Sequence, residues 1–356
     1  MQIRHELRPL TSARGIAAWY VVLYHIRESA TGSLPAGMID FFARGYLAVD
    51  FFFVLSGFVI WLNYGALLGG ARWRSAPYFL WRRLARIYPL HLLMMLGAVA
   101  FAVVCIATGR GMPPGFAWNT LPWHLLLVQN WGLLPQLGWN VPAWSISCEL
   151  GAYLLFPLLM ARTDWRRTST PLLLGLLALL FAGLVALFAV AGKDLLGNDI
   201  PRLGLPRCLF EFAMGTIAAA LWLRWREAPG RPAIGAAALT LAGFAAYLAG
   251  APEPLALPFV FVALLLLLAL TADGASPLKG RTIHWLGEIS YATYLAHALL
   301  FLVFKIVFVT DAKQVPLPLL GLFLLLLLAA SALLYHGFEL PAQKWLNRHG
   351  PGRPEG

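Results

Sequence analysis

Charge is what this chain has least of. Only 12% of its 356 residues are Asp, Glu, Lys or Arg, about half the share found in soluble proteins. Hydrophobic residues make up 60% and the mean hydropathy is +0.72. That balance excludes a soluble globular domain and a disordered chain, and describes a polytopic membrane protein. Acidic residues are the scarcer sign, 16 against 27 basic, for a net charge of +11. In a membrane protein such an excess is read first as the Lys/Arg bias of cytosolic loops, before any acidic partner is invoked. The three cysteines, Cys105, Cys148 and Cys208, are odd in number and lie in separate apolar stretches, which excludes a disulfide framework. The sequence has no His-x-x-x-His pair, no closely spaced cysteine set and no Gly-rich loop ending in Lys. Neither a metal site nor a phosphate loop is expected, and no bound cofactor.

What is abundant is the long apolar run. Ten stretches of about 18 to 25 residues are long enough to span a bilayer, centred on 9–27, 44–64, 87–108, 143–161, 171–191, 203–223, 233–250, 255–272, 286–309 and 316–338. The first holds Arg14 and His25 and lacks a small-residue cleavage site, so it reads as a retained helix rather than a signal peptide. The stretch 119–140 is apolar but broken by Pro and Gly and rich in Trp, and is expected to be an outer re-entrant or interfacial segment. With both termini cytosolic, the inner side collects Arg4, Arg8, Arg72, Arg74, Arg82, Arg83, Arg86, Arg162, Arg166, Arg167, Arg224, Arg226, Arg231, Lys279, Arg281, Lys344, Arg348 and Arg353. The outer side keeps Arg27, Arg44, Arg110, Lys193, Arg202 and Lys313, an asymmetry of about threefold in the expected sense. An eleventh span at 119–140 would invert every later loop. The fold class predicted is therefore an all-α polytopic bundle of about ten transmembrane helices. One domain is expected over 6–345, with a short cytosolic, disordered tail at 346–356 and no fused soluble domain.

Arg14 and His25 are the most informative pair. Ionisable groups are costly in hydrocarbon, so their presence within a span is by default a functional signal. Eleven residues is about three helical turns, which puts both side chains within about 20° on one face and about 16 Å apart along the axis. An anion-binding group deep in the helix and a proton acceptor further along suit a substrate that is anionic at one end and reactive at the other. The plainer readings are an arginine snorkelling to the inner headgroups and a core histidine bonded to a carbonyl.

Several segments in order resemble the acyltransferase-3 family of integral membrane acyltransferases. These are Arg14 with His25; Gly45-Tyr-Leu-Ala-Val-Asp50-Phe-Phe-Phe-Val-Leu-Ser56-Gly57-Phe; Arg83-Leu-Ala-Arg86-Ile-Tyr88-Pro89; and Trp144-Ser145-Ile-Ser147-Cys-Glu149 with Tyr153 and Pro157. Then follow Arg207, Glu211 and Gly215; Ile289-Ser290-Tyr291-Ala-Thr-Tyr294-Leu-Ala-His297; and Glu339-Leu-Pro341. The resemblance runs from about residue 6 to 345 and departs at Cys148, where small or branched residues are more usual. It implies transfer of an acyl group, most simply acetyl, from cytosolic acyl-CoA to a hydroxyl of an extracytoplasmic carbohydrate or lipid-linked glycan, in a bacterial inner membrane. Acyl-CoA is then a co-substrate, and acyl-CoA, the glycan acceptor and membrane lipid are the partners, with no nucleic acid.

Under that reading His25 is the general base, since an alcohol needs its proton removed and imidazole titrates in the right range. Glu149 joins it as a second catalytic candidate, four residues before Tyr153 on one helix face. It would orient His25 or bind the acceptor; otherwise it is a packing group. Arg14 would contact the donor or its thioester oxygen. Arg83 and Arg86, three apart, share a face and would grip a pyrophosphate together, unless they are ordinary positive-inside charge. Asp50, Ser147, Tyr153, Arg207, Glu211, Tyr291, Tyr294 and His297 are cavity or acceptor candidates, with Arg207 and Glu211 expected to pair four residues apart. Trp118, Trp123, Trp131, Trp139 and Trp144 would offer a sugar-stacking platform or form an interfacial belt. A covalent acyl-histidine stays open beside direct transfer.

Other classes use the same residue types. A transporter or flippase of a lipid-linked glycan would also need intramembrane Arg, His and Glu, but no inverted repeat relates the two halves. A metal-dependent glycosyltransferase would want more acid in its first outer loop than Glu28 and Asp40. A scaffold leaves Arg14, His25 and Glu149 unexplained.

Overall fold

A computed structural model describes residues 7–69, 73–309 and 315–354; Arg4, Arg72 and Lys313 of the loop-charge pattern lie outside them. The described residues form helices and loops with no strand. The helices are α1 Arg8–Ile26, α2 Ala36–Ala43, α3 Ala48–Leu68, α4 Ala76–Ala107, α5 Leu121–Leu125, α6 Ala143–Arg162 and α7 Thr170–Val190. They continue as α8 Ile200–Trp225, α9 Gly230–Leu248, α10 Glu253–Leu270, α11 Arg281–Glu288, α12 Ser290–Phe308, α13 Leu317–Leu334 and α14 Leu340–His349. A π-helical turn, Tyr335–Glu339, joins the last two. The protein is an integral membrane protein: nine helical segments among the described residues are long and apolar enough to cross a bilayer.

The predicted spans all coincide with helices, and the tenth is α1. It has 19 residues, a length that spans, but Arg8, Arg14 and His25 set it apart from the other nine. It packs against α3, α11 and α12, so its polar groups meet protein rather than lipid, which is where such groups are tolerated. By contrast α9 packs on α10 and leaves Ile234, Leu239, Leu241, Phe244 and Leu248 exposed, a lipid-facing surface with no polar content to hide.

Between helices in lipid there is little hydrophobic driving force, so close approach of small residues carries the packing. One such close approach joins α3 to α8. A Cβ at Gly57 would lie 1.9 Å from the Phe212 carbonyl oxygen, and one at Gly215 would lie 2.0 Å from that of Val54. The same device joins α1 to α11, where a Cβ at Gly287 would fall 1.9 Å from the Thr11 carbonyl oxygen. These contacts fix the three helices that carry Asp50, Arg14 and Arg207.

The stretch 119–140 is not a span. Only five residues of it form α5, and it is anchored by specific hydrogen bonds. His91 Nε2 donates to the His124 carbonyl at 2.8 Å and Tyr88 to that of Leu125 at 2.9 Å. The Trp131 indole donates to the Ser147 carbonyl at 2.9 Å, and Asn140 to that of Leu295 at 2.9 Å. Leu127 and Trp139, both buried, hold φ of 57° and 50°, a strained conformation that persists where surroundings over-determine it. The segment is a plug wedged between α4, α6 and α12. Trp118 and Trp123 stay exposed while Trp139 and Trp144 are buried.

Gly215→Ala should lower the thermal midpoint of the purified protein in detergent, since overpacking a filled contact costs about 1–3 kcal/mol. Gly175→Ala in α7, where an added Cβ meets nothing within 4 Å, should leave it unchanged or slightly raised. Intrinsic tryptophan fluorescence during heating reads both.

Candidate functional site

A cavity of about 580 Å³ opens within the bundle. Its polar lining comes from five helices: Arg14 from α1, Ser56 from α3, Arg83 and Arg86 from α4, Ser145, Glu149 and Tyr153 from α6, and Tyr291 and Tyr294 from α12. The remaining wall is largely apolar, with Phe52, Phe53, Leu55 and Ile60 from α3. An apolar cleft with a few convergent polar groups is the form of a small-molecule site. Three guanidinium groups against one lining carboxyl make it suited to an anion.

Each cation is held differently. Arg14 donates from Nε and Nη2 to the Gly287 carbonyl at 3.2 and 2.7 Å. That bond uses two of its five N–H donors and leaves the rest for an occupant. The close passage of α1 over Gly287 is what brings this carbonyl within reach. Arg83 donates through Nη2 to the Tyr64 hydroxyl at 3.1 Å, and its Nε is buried without a partner. Arg86 is ion-paired with Glu339 and lies over the Tyr291 ring. The wide π-helical turn delivers that buried glutamate to α4; such turns recur at functional sites. Arg83 and Arg86 thus share a cavity as the spacing predicts, each with its own second partner.

Glu149 accepts from the Tyr153 hydroxyl at 3.2 Å, and that hydroxyl lies 3.2 Å from Ser56 Oγ. The carboxyl is therefore oriented by its own helix and α3, with Tyr153 as its partner and not His25. Tyr291 donates to the Ile87 carbonyl at 2.6 Å. Tyr294 bonds Ser145 at 2.7 Å.

His25 does not line this cavity. It sits further along α1, half-buried, with its ring 4.8 Å from that of His297. The buried His297 ring is in turn 6.1 Å from Tyr294. A continuous series of contacts therefore runs from the cavity through Tyr294 and His297 to His25.

Asp50, Arg207 and Glu211 form a separate buried cluster. Arg207 Nε is 2.8 Å from Asp50 Oδ1 and 4.0 Å from Glu211 Oε2, and Nη1 donates to the Leu196 carbonyl. The intrahelical pair expected from spacing is thus the looser of the two; the close partner comes from α3. All three side chains are buried at about 1% exposure or less. They lie outside the cavity lining, and the cluster is a clamp between α3 and α8. Ser147 also lies outside the lining: its hydroxyl accepts from the Asn130 backbone N–H at 3.2 Å and holds the plug. Ser56, Ser145 and Tyr64 were not singled out from the sequence. Ser56 and Ser145 fall inside motifs that were quoted, whereas nothing in the sequence marks Tyr64.

Residues 10–336 match the acyltransferase-3 family, described as an acyltransferase domain, and the chain belongs to it. It is thereby an acyltransferase enzyme of the membrane. Among individual proteins it is similar to Acyltransferase MdmB of Streptomyces mycarofaciens, 32% identical over 82% of this chain and 78% of that one. It is also similar to Exopolysaccharide production protein ExoZ of Rhizobium meliloti (strain 1021), 30% identical over 72% of this chain and 76% of that one. Protein 2 in picA locus of Rhizobium radiobacter is 32% identical over 49% of this chain and 92% of its own. No solved structure matches the chain.

Removing one side of the α3–α8 clamp leaves its partner buried and unanswered, which costs about 3–5 kcal/mol. Asp50→Ala should therefore yield markedly less folded protein by size-exclusion chromatography, and Glu211→Ala less of a defect than Asp50→Ala.

Proposed function

We propose that this enzyme moves an acyl group from cytosolic acyl-CoA to a hydroxyl of an extracytoplasmic carbohydrate or lipid-linked glycan. The observation that carries this reading is the gathering of Arg14, Arg83 and Arg86 on one cavity, with His25 beyond it on the helix that bears Arg14. Acyl-CoA has phosphates at one end and a thioester at the other, and the separation of anion-binding groups from a base along α1 suits it. Arg83 and Arg86, both on the cavity wall, would meet the phosphates. Arg14 would contact the pantetheine arm or the thioester oxygen as charge builds there.

His25 acts as the general base. The acceptor hydroxyl gives its proton to the imidazole as its oxygen attacks the acyl carbon. The C–O bond forms, the C–S bond breaks, and the proton passes from the imidazole to the departing thiolate. Glu149 and the tyrosines of the lining would then position the donor rather than act on His25, because Glu149 is held by Tyr153, which is itself held by Ser56. The name of ExoZ supports a polysaccharide acceptor and that of MdmB supports acyl transfer itself. Acetyl is the simplest donor group; the loop charges support both termini cytosolic, and the family resemblance implies a bacterial inner membrane.

Two measurements test this. Base-labile acyl esters on extracted surface glycans should disappear without the protein and return with wild type but not with His25→Ala at matched expression. Return with both would remove His25 from the chemistry. For orientation, Gly32→Cys should react with an impermeant thiol reagent on intact cells and Arg74→Cys only after permeabilisation. Both positions are exposed, while the native cysteines are buried. The opposite pattern would put the arginine-rich loop that opens α4 on the wrong side for cytosolic CoA.

A further inference from the structure

We propose that His297 is the positioning residue for His25, holding its proton on Nδ1 and leaving Nε2 bare. The inference deepens the reading of His25 as base and rests on it for its catalytic meaning; the hydrogen bond itself does not. His297 Nδ1 lies 2.7 Å from the Tyr294 carbonyl oxygen. A carbonyl can only accept, so Nδ1 of His297 carries the hydrogen, and in the neutral ring Nε2 is an acceptor. That Nε2 lies 3.1 Å from His25 Nδ1. His25 Nδ1 also lies 3.0 Å from the Val21 carbonyl oxygen. Both neighbours of His25 Nδ1 are therefore acceptors, which makes it the donor. The lone pair of His25 is left on Nε2, which makes no hydrogen bond within the described residues.

The chain of bonds runs in one direction: Nδ1–H of His25 to Nε2 of His297, then Nδ1–H of His297 to the Tyr294 carbonyl. When His25 Nε2 takes the acceptor proton, the ring becomes an imidazolium. Its Nδ1–H then faces two oriented acceptors, and hydrogen bonds from an ionised donor are about twice as strong as neutral ones. The arrangement does what an orienting carboxylate does in a serine hydrolase triad, but without a fixed negative charge. That difference matters inside the bundle, where an unpaired carboxylate is costly. His297 is fully buried, so water does not compete for its Nε2.

The test compares wild type, His297→Gln and His297→Leu, all with ¹⁵N-labelled histidine in detergent or lipid. Gln offers a carbonyl oxygen where Nε2 stands; Leu offers nothing. In wild type, a scalar coupling across the hydrogen bond should link His25 Nδ1 to His297 Nε2, with the proton on His25. Absence of that coupling, or a proton resident on His297 Nε2, overturns the proposal whatever the activity. For acyl transfer, His297→Leu should lower kcat by about tenfold to a hundredfold, the factor for one hydrogen bond to a charged group. KM for acyl-CoA should not change, and His297→Gln should recover most of the rate. Equal losses in Leu and Gln would mean a packing role and sink the idea, as would wild-type kcat in Leu. Should the Leu variant not fold, the wild-type coupling and the Gln rate still decide. An intact coupling in a protein lacking acyltransferase activity would uphold the bond and bring down the reading of His25 instead.

Discussion

A charged group inside a membrane bundle must be answered by another group, because neither lipid nor bulk water will do it. Most of the architecture around the site follows from that constraint. Arg207 is answered by Asp50 across the α3–α8 seam, Arg86 by the glutamate at the π-helical turn, and Arg14 by a carbonyl of α11. Each partner comes from a different helix, so the charges that fill the interior also fix which helices lie side by side. The glycines at 57, 215 and 287 are the steric half of the same arrangement. Without a Cβ in those places the backbones come close enough for the polar groups to meet.

The residual charge is what gives the cavity its character. Arg14 and Arg83 each keep donors that no protein acceptor takes up, while the clamp at Arg207 is sealed away from the lining. The bundle thus separates structural cations from available ones. Both kinds look alike in a list of intramembrane arginines; a carboxylate at 2.8 Å and a place outside the lining mark Arg207 as structural.

What could be read beforehand was what a single helix encodes. Arg14 and His25 share a face because eleven residues make about three turns, and Arg83 and Arg86 share a cavity because three residues make most of one. The ten apolar runs became ten helices for the same reason, and the Pro- and Gly-broken Trp segment failed to become an eleventh. Partnerships between helices were not legible. The i to i+4 rule chose Glu211 for Arg207, yet the closer carboxylate lies more than 150 positions away on α3. Glu149 was expected to orient His25, bind the acceptor or pack; it accepts from Tyr153 on its own helix, and Tyr153 in turn contacts Ser56. His297 was visible as a cavity candidate at the end of a quoted segment; its contact with His25 depends on how α12 rotates against α1, which no local pattern specifies.

Tyr294 divides its atoms between two duties. Its phenol belongs to the cavity wall, whereas its carbonyl belongs to the helix backbone and anchors the imidazole beyond it. The ring can therefore be exchanged for another while the main chain goes on holding the His297 imidazole. The shape of the cavity wall and the seating of the two imidazoles are separable at this one position, since side chain and peptide group answer to different partners.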